Sequence, residues 1–531
     1  MRRHLWAALL GLCAMIPAAR AAAQSTEAML DDIQHKAFLY FWNEANPTNG
    51  LVKDRSTLTS PSSIAAVGFG LSSICVGIDH GWITRAAGRD RVLTTLQTFW
   101  NGPQGPAASG TIGYKGLFYH FLDMNTAVRT WTSELSTIDT ALLFAGIVDA
   151  KQYFNQGDPA EMQIRALADS IVYRADWNFM RNFNPGILMG WNPEHGFANF
   201  GQWIGYNEAM ILYILALGSP THAVPASAWT QWTSGYAVHW QTQYGYTYLT
   251  FPPLFGHQYS HCWVDFRSIW DSYMQGKGLT YFENSRRATL AQRAYCIATP
   301  VYLYTDSLWG LTASDGPNGY DARGAPPPQN DNGTIAPTAA GGSIAFAPEV
   351  CIPALRNMYN AYGPGGTQQL WGPYGFRDAF NLKLNWWDTD DLGIDQGPIV
   401  IMIENYLNGS IWSRFMANAD IQTGLTRAGF VPALIAVDDG TPRGDDVRLF
   451  SSEPNPFITT TAIPFSLPQA ARVRLSVYDV MGREVARLVD GLLPAGTHRA
   501  LLDGSGLPSG AYEYRLTVGG SMRVGKCVRL R

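Results

Sequence analysis

From residue 27 to about 417 the apolar positions recur at helical spacing, beginning with Met29, Ile33, Phe38, Tyr40 and Phe41, and the breaks between runs are rich in Gly and Pro. Two runs, 64–78 (IAAVGFGLSSICVGI) and 209–217 (AMILYILAL), are apolar nearly all round, which suits helices enclosed by other helices. Runs 86–100 and 159–173 mix charge with apolar stripes and suit an outer layer. This pattern predicts a mainly α, double-layered α/α toroid over 24–417. Its long Gly-, Pro- and Asn-rich loops at 102–115, 182–205 and 313–345 are expected to wall a pocket at one end. Beyond 417 the texture changes. Residues 418–451 read as a linker, most polar at 438–446. Alternation then begins at Val473, Leu475 and Val477, with glycines at turn spacing, and predicts a small β-sandwich over 452–531.

Composition narrows the partners. A net charge of -4 with acids and bases interspersed argues against nucleic acid or an anionic membrane, and favours a neutral substrate. With 18 Trp, 25 Tyr and 24 Phe, the chain has aromatic faces to spare for stacking on sugar rings. Residues 1–23 carry Arg2 and Arg3, an apolar run and small residues near the end, as a secretory signal does. The apolar run is short for a membrane span, so no integral segment is expected after its removal. The remaining five cysteines lack zinc-like spacing, and no disulfide framework, metal or cofactor is expected.

Three stretches put isolated acids beside aromatic or small polar residues. In 131–144, Thr132 or Ser133 reads as a helix N-cap, with Glu134 in the first turn and Asp139 further in, among core-like residues. Five helical residues turn the chain by about 500°, which would set those two carboxylates ~140° apart and facing different partners. In Trp203-Ile204-Gly205-Tyr206-Asn207-Glu208, Glu208 is the only charge for many residues and opens an apolar helix. Burial should raise its pKa further than a helix dipole lowers it, leaving a proton for general acid work. The third stretch, Trp386-Trp387-Asp388-Thr389-Asp390-Asp391, offers a sugar platform, with Asp395 leading the next helix as a candidate base. Calcium is the rival reading for Asp388, Asp390 and Asp391, but the Gly and terminal Glu of a hand-type loop are missing. Asp54, Arg55, His120, His257 and Tyr259 are further candidates for a polar pocket lining. His257 and His261 have metal-like spacing, yet no Glu lies between them.

Two resemblances follow from particular motifs. The segments Gly116-Leu117-Phe118-Tyr119-His120-Phe121, SELSTIDTALL from Ser133, and YNEAMILYILALGSPTH from Tyr206 resemble the glucoamylase-like family that includes bacterial endo-β-1,2-glucanases of glycoside hydrolase family 144. The resemblance implies an (α/α)6 toroid that hydrolyses a β-glucan, most of all a β-1,2-glucan. Glu208 would be the acid, with Asp139, Glu134 and Asp395 competing for the second role. Substrate contacts would come from Asp54, Arg55, His120, Trp203, Tyr206, His257, Tyr259, Trp386 and Trp387. The tail, with FSLP at 465–468, VRLSVYDVMGREVARLV at 473–489 and LPSGAYEYRL at 507–516, resembles the type IX secretion sorting domain and its Ig-like relative in hook-capping proteins. That implies the type IX secretion machinery as a partner, and a secreted or surface-anchored protein. A polysaccharide lyase using Tyr259 with His257 or His261, and a non-catalytic glycan-binding protein, are the rival functions.

Overall fold

The computed structural model describes residues 24–433, 436–437, 447–452, 454–493, 496–519 and 521–530. The segment 1–23, read as a signal, and the polar stretch 438–446 lie outside the described residues.

The helical body is an (α/α)6 toroid. Its inner helices are Ile64–Asp79, Thr137–Tyr153, Met210–Gly218, Phe255–Trp263, Pro337–Gly341 and Gly393–Leu407, and the last returns to pack on the first. The outer layer is formed by Thr26–Asn43, Arg85–Asn101, Pro159–Tyr173, Ser227–Thr233, Tyr281–Ala298 and Pro348–Tyr362. The two runs that are apolar all round are inner helices, and every residue of Met210–Gly218 is buried. Among the described residues no helix is long and apolar enough to cross a membrane, and all five cysteines are buried and free.

Glycines let the inner helices touch backbone to backbone. A Cβ at Gly146 would lie 2.0 Å from the carbonyl oxygen of Gly68, and one at Gly68 would lie 2.2 Å from that of Leu142. These helices can sit this close only because both residues lack a side chain.

Short ladders hold the end of the toroid where several inner helices begin. Ser62–Ser63 pairs with Phe121–Leu122 and runs into the helix at Ile64. Leu135–Ser136 pairs with Gly190–Trp191 and runs into the helix at Thr137. Arg55 bridges Leu392, immediately before the helix at Gly393. The free N–H groups of these helix starts are satisfied locally: Ile64 donates to the His120 carbonyl, Thr137 to Met189 and Gly393 to Asp54.

The helical body does not end at Ala417. Helix Ala419–Arg427 packs on Met210–Gly218, and Val431–Pro432 pairs with Ile269–Trp270. Only Ile421, Gly424 and Leu425 are buried in that helix, too few for the apolar spacing to stand out against polar neighbours. Nor is the rest of 418–451 simply a linker. Ala436–Val437 and Arg448–Leu449 are strands of a four-stranded antiparallel sheet with Gly496–Asp503 and Thr460–Leu467. A second sheet, in the order Glu484–Leu493, Ala471–Tyr478, Gly510–Val518 and Ser521–Arg529, shares with it a core of Ile463, Phe465, Val473, Leu475, Val477 and Leu516.

Substituting Gly146→Ala should destabilise the protein although alanine is the better helix former. Overpacking costs about 1–3 kcal/mol, against roughly 0.5–1 kcal/mol gained in propensity. A denaturant melt is expected to show a lower midpoint than that of the parent.

Candidate active site

The ends of these inner helices carry a cluster of carboxylates with a few cations among them. Ser136, not Thr132 or Ser133, caps the helix at Thr137, accepting from the Asp139 N–H at 3.2 Å. Asp139 is therefore in the first turn, and Glu134 lies before the helix. The expected separation of the two carboxylates fails for that reason, and both face His120. Its Nδ1 is 3.1 Å from Glu134 Oε1 and its Nε2 is 3.5 Å from Asp139 Oδ1. The Phe121 ring stacks on the imidazole at 3.9 Å between centroids. Burial opposes a charge on His120, but Asp139, Glu134 and Asp54 outweigh it and lift the imidazole to about 9. In return the His120 hydrogen bond and charge hold Glu134 below its usual range, against burial.

Asp54 links this group to a second one. Burial raises its pKa, while the neighbouring Arg55 and His120 pull it down. Arg55 reaches Asp315 at 2.8 Å, Asp390 at 3.4 Å and Asp54 at 3.6 Å. Asp378 is 3% exposed and accepts from the Asp315 N–H at 2.7 Å. It also lies within hydrogen-bonding reach of Asp395, itself 4% exposed and in the first turn of Gly393–Leu407. Burial raises both carboxyls, and Asp378 more strongly because the Asp395 charge adds to it. Asp378 Oδ1 and Asp395 Oδ2 receive no hydrogen bond from any donor. One proton shared by the pair, residing on Asp378, answers both.

Glu208 has no such company. It lies just ahead of the helix at Met210, its Oε2 is enclosed without a hydrogen-bond partner, and burial lifts it to about 7, aided by the Asp139 charge and opposed by a backbone hydrogen bond. This is the direction expected of an isolated carboxyl there.

Several predicted contacts turn out to be structural. Tyr206 is 2% exposed and its hydroxyl meets Ser285 at 3.3 Å inside the core. His257 is wholly buried against Tyr206, with Nε2 on the Phe251 carbonyl, and burial pushes it down to about 3. His261 is buried likewise and held well below its usual value, so the histidines of the lyase reading lie in the core. An aromatic-rich helix can serve a core or a pocket wall, and its spacing is the same for both. Tyr259 donates to the carbonyl of Ile394 at 3.2 Å and so positions the turn that carries Asp395. The half-buried Trp203 donates to Thr137 Oγ1 at 3.0 Å, beside the start of the Asp139 helix. Trp386 and Trp387 form a short strand, but the Trp387 ring already stacks on Phe380 at 5.2 Å.

Asp315, Asp378 and Tyr320 were missed by sequence reasoning. Tyr320 comes from the long 313–345 loop, the one signal that pointed there. Although Tyr320 is 47% exposed, local desolvation of its hydroxyl and the charges of Asp395, Asp378, Asp54 and Asp315 push it well up. Among the described residues two groups have ligand atoms close enough for a cation, His120–Glu134–Asp139 and Asp315–Asp378–Asp388, each within 4.8 Å. In the first, the protonated His120 is itself the cation; in the second, Arg55 already sits on Asp315.

Because folding raises the His120 pKa from 6.5 to about 9, its contribution to stability is complete below pH ~6.5 and lost as pH rises toward 9. A thermal melt of the parent should lose midpoint over that window, and His120→Gln should remove that part of the pH dependence.

Comparison with known proteins agrees with this geometry. The family described as "Putative glucoamylase" matches residues 201–419. The exo β-1,2-glucooligosaccharide sophorohydrolase (non-reducing end) of Parabacteroides distasonis is 32% identical over 76% of this chain, which spans 58% of that relative's length. A crystal structure from Bacteroides uniformis, given the same description as the family, is 35% identical, with 78% of this chain and 99% of that one covered and a TM-score of 0.71. The endo-β-1,2-glucanase of Chitinophaga pinensis, solved with sophorotriose and glucose, is 29% identical, with 77% and 99% covered and a TM-score of 0.70. With one relative above 30% identity matched over nearly its whole length, and the toroid and its helix-end carboxylates in place, this chain belongs to the glucoamylase-like family.

Proposed function

We propose that this chain is a glycoside hydrolase that cuts a β-1,2-linked glucan, with Glu208 as general acid and Asp395 as the base that activates water. The observation that carries the reading is Glu208, lifted by burial to about 7, with an enclosed Oε2 that has no hydrogen-bond partner. Glu208 gives its proton to the glycosidic oxygen as the C–O bond breaks. Water attacks the anomeric carbon and passes a proton to Asp395, and the surrounding carboxylates stabilise the positive charge developing on the sugar ring. Asp395 suits the base role better than Asp139, whose oxygens are engaged by His120 and the Ser136 hydroxyl. The β-1,2 linkage is supported by the two relatives named for such glucans.

Export belongs to the same reading. A secretory signal at 1–23 and a tail addressed to the type IX secretion machinery would bring the enzyme to a polymer too large to enter the cell. The motifs of the tail support this.

Reducing-end release should be seen on β-1,2-glucan in preference to β-1,3-, β-1,4- and α-1,4-glucans. Glu208→Gln should lower it about 10²–10⁴-fold; near-full activity in that variant would sink the assignment. Since Glu208 is protonated below about 7 and ionised above, kcat/KM of the parent should fall as pH rises through that value.

Asp378 offers a separate check on Asp395. Asp378→Asn keeps a hydrogen-bond donor and should leave the acid limb of the pH profile in place. Asp378→Leu removes the hydrogen bond that lowers Asp395, so the acid limb should move to higher pH. A purely structural role for Asp378 would lower activity without moving the limb.

A further inference from the structure

A cleft of about 500 Å³ lies beside the carboxylate cluster, lined by Trp131, Glu44, Asn46, Lys53, Ser60 and Asn125 among others. Its size is that of a small-molecule site. Trp131 is 68% exposed and has a φ of 54°, in the left-handed region where a bulky residue is an outlier. A large apolar ring held outward on a strained backbone needs a reason, and the chain on either side of it is tied down: the Thr130 N–H donates to the Phe121 carbonyl at 3.1 Å and the Ser133 hydroxyl to the Thr130 carbonyl at 3.0 Å. The neighbouring turn at 123–126 is fixed as well. Asp123 Oδ1 accepts from the N–H groups of Asn125 and Thr126, and the side-chain amides of Asn46 and Asn49 both donate to the Met124 carbonyl.

The walls of the cleft adjoin the site. The Trp131 ring lies 5.2 Å from Phe121, which stacks on His120. Lys53 precedes Asp54, and the Ser60 hydroxyl accepts from the Arg55 N–H at 3.0 Å. Its chemistry suits a neutral pyranose. An indole face covers the apolar face of a sugar, the exposed Asn125 side chain can meet its rim, and Lys53 is neutralised by Glu44 at 2.7 Å.

We propose that this cleft is a distal subsite in which a glucosyl unit of the substrate chain, several units from the scissile bond, stacks on Trp131. The proposal rests on the hydrolase reading above. It makes Trp131 a determinant of chain-length preference, because only an oligosaccharide long enough to reach from Glu208 to the cleft gains the contact.

The test uses the full chain and β-1,2-gluco-oligosaccharides of increasing length. In Trp131→Ala, KM for long oligosaccharides should rise about tenfold, the advantage of long over short substrates should flatten, and Trp131→Phe should restore part of it. Calorimetric titration of Glu208→Gln, with and without Trp131→Ala, should show the same loss in affinity for a long oligosaccharide. Equal affinities, or a length preference surviving in Trp131→Ala, would overturn the subsite. Failure of the parent to cut any β-1,2-glucan would instead overturn the hydrolase reading. Because Trp131 is exposed, its removal should leave the melting temperature near that of the parent, which separates lost binding from lost folding.

Discussion

The N–H groups at the start of a buried helix must find acceptors, and in this toroid two of them find the main chain of the site itself. Ile64 donates to His120 and Gly393 to Asp54. The residues whose side chains build the charged cluster therefore also cap the inner helices. Neither side chain can be moved far by shifting its backbone without exposing a helix end. The short ladders entering the helices at Ile64 and Thr137 add to this, so the geometry of the cluster is tied to the first turns of the barrel rather than left to loops.

That rigidity lets similar groups take different protonation states. Carboxylates outnumber cations at this end of the toroid, and burial alone would raise all of them. His120 and Arg55 are spent on Glu134, Asp54, Asp139 and Asp315, and Arg377 reaches Asp391 at 2.6 Å. Asp378 keeps a proton and lends its hydrogen bond to Asp395. Glu208 receives no cation and keeps its own proton. Carboxyl groups in opposite states, an ionised Glu134 and a protonated Asp378, thus arise through unequal company, while Glu208 and Asp395 are both lifted to about 7.

Much of this was legible in the chain. A helix apolar on every side has no place except inside other helices, so the inner helices at Ile64 and Met210 followed from composition alone. Glu208 stood out because no other charge lay near it. Around Glu134 the cap reads from the sequence as Thr132 or Ser133, and the true cap at Ser136, with the helix starting at Thr137, brings both carboxylates to one imidazole. Tyr206 and His257 were misread because a polar atom on an aromatic ring can be satisfied in a core as readily as by a ligand. Asp315 and Asp378 lie far apart in irregular segments and meet only in three dimensions, through a main-chain hydrogen bond that no periodicity announces.

The contact between Gly68 and Gly146 bears on how such a site can change over time. Side chains in a core can be exchanged for others of similar volume, and the helices they separate drift as they are. Two helices in direct main-chain contact have no spacer left to exchange, so the gauge between the Ile64 and Thr137 helices is insulated from that drift. Surface loops such as the one carrying Trp131 can then be lengthened, shortened or recoloured to suit other chain lengths, while the carboxylate frame beneath them keeps its dimensions.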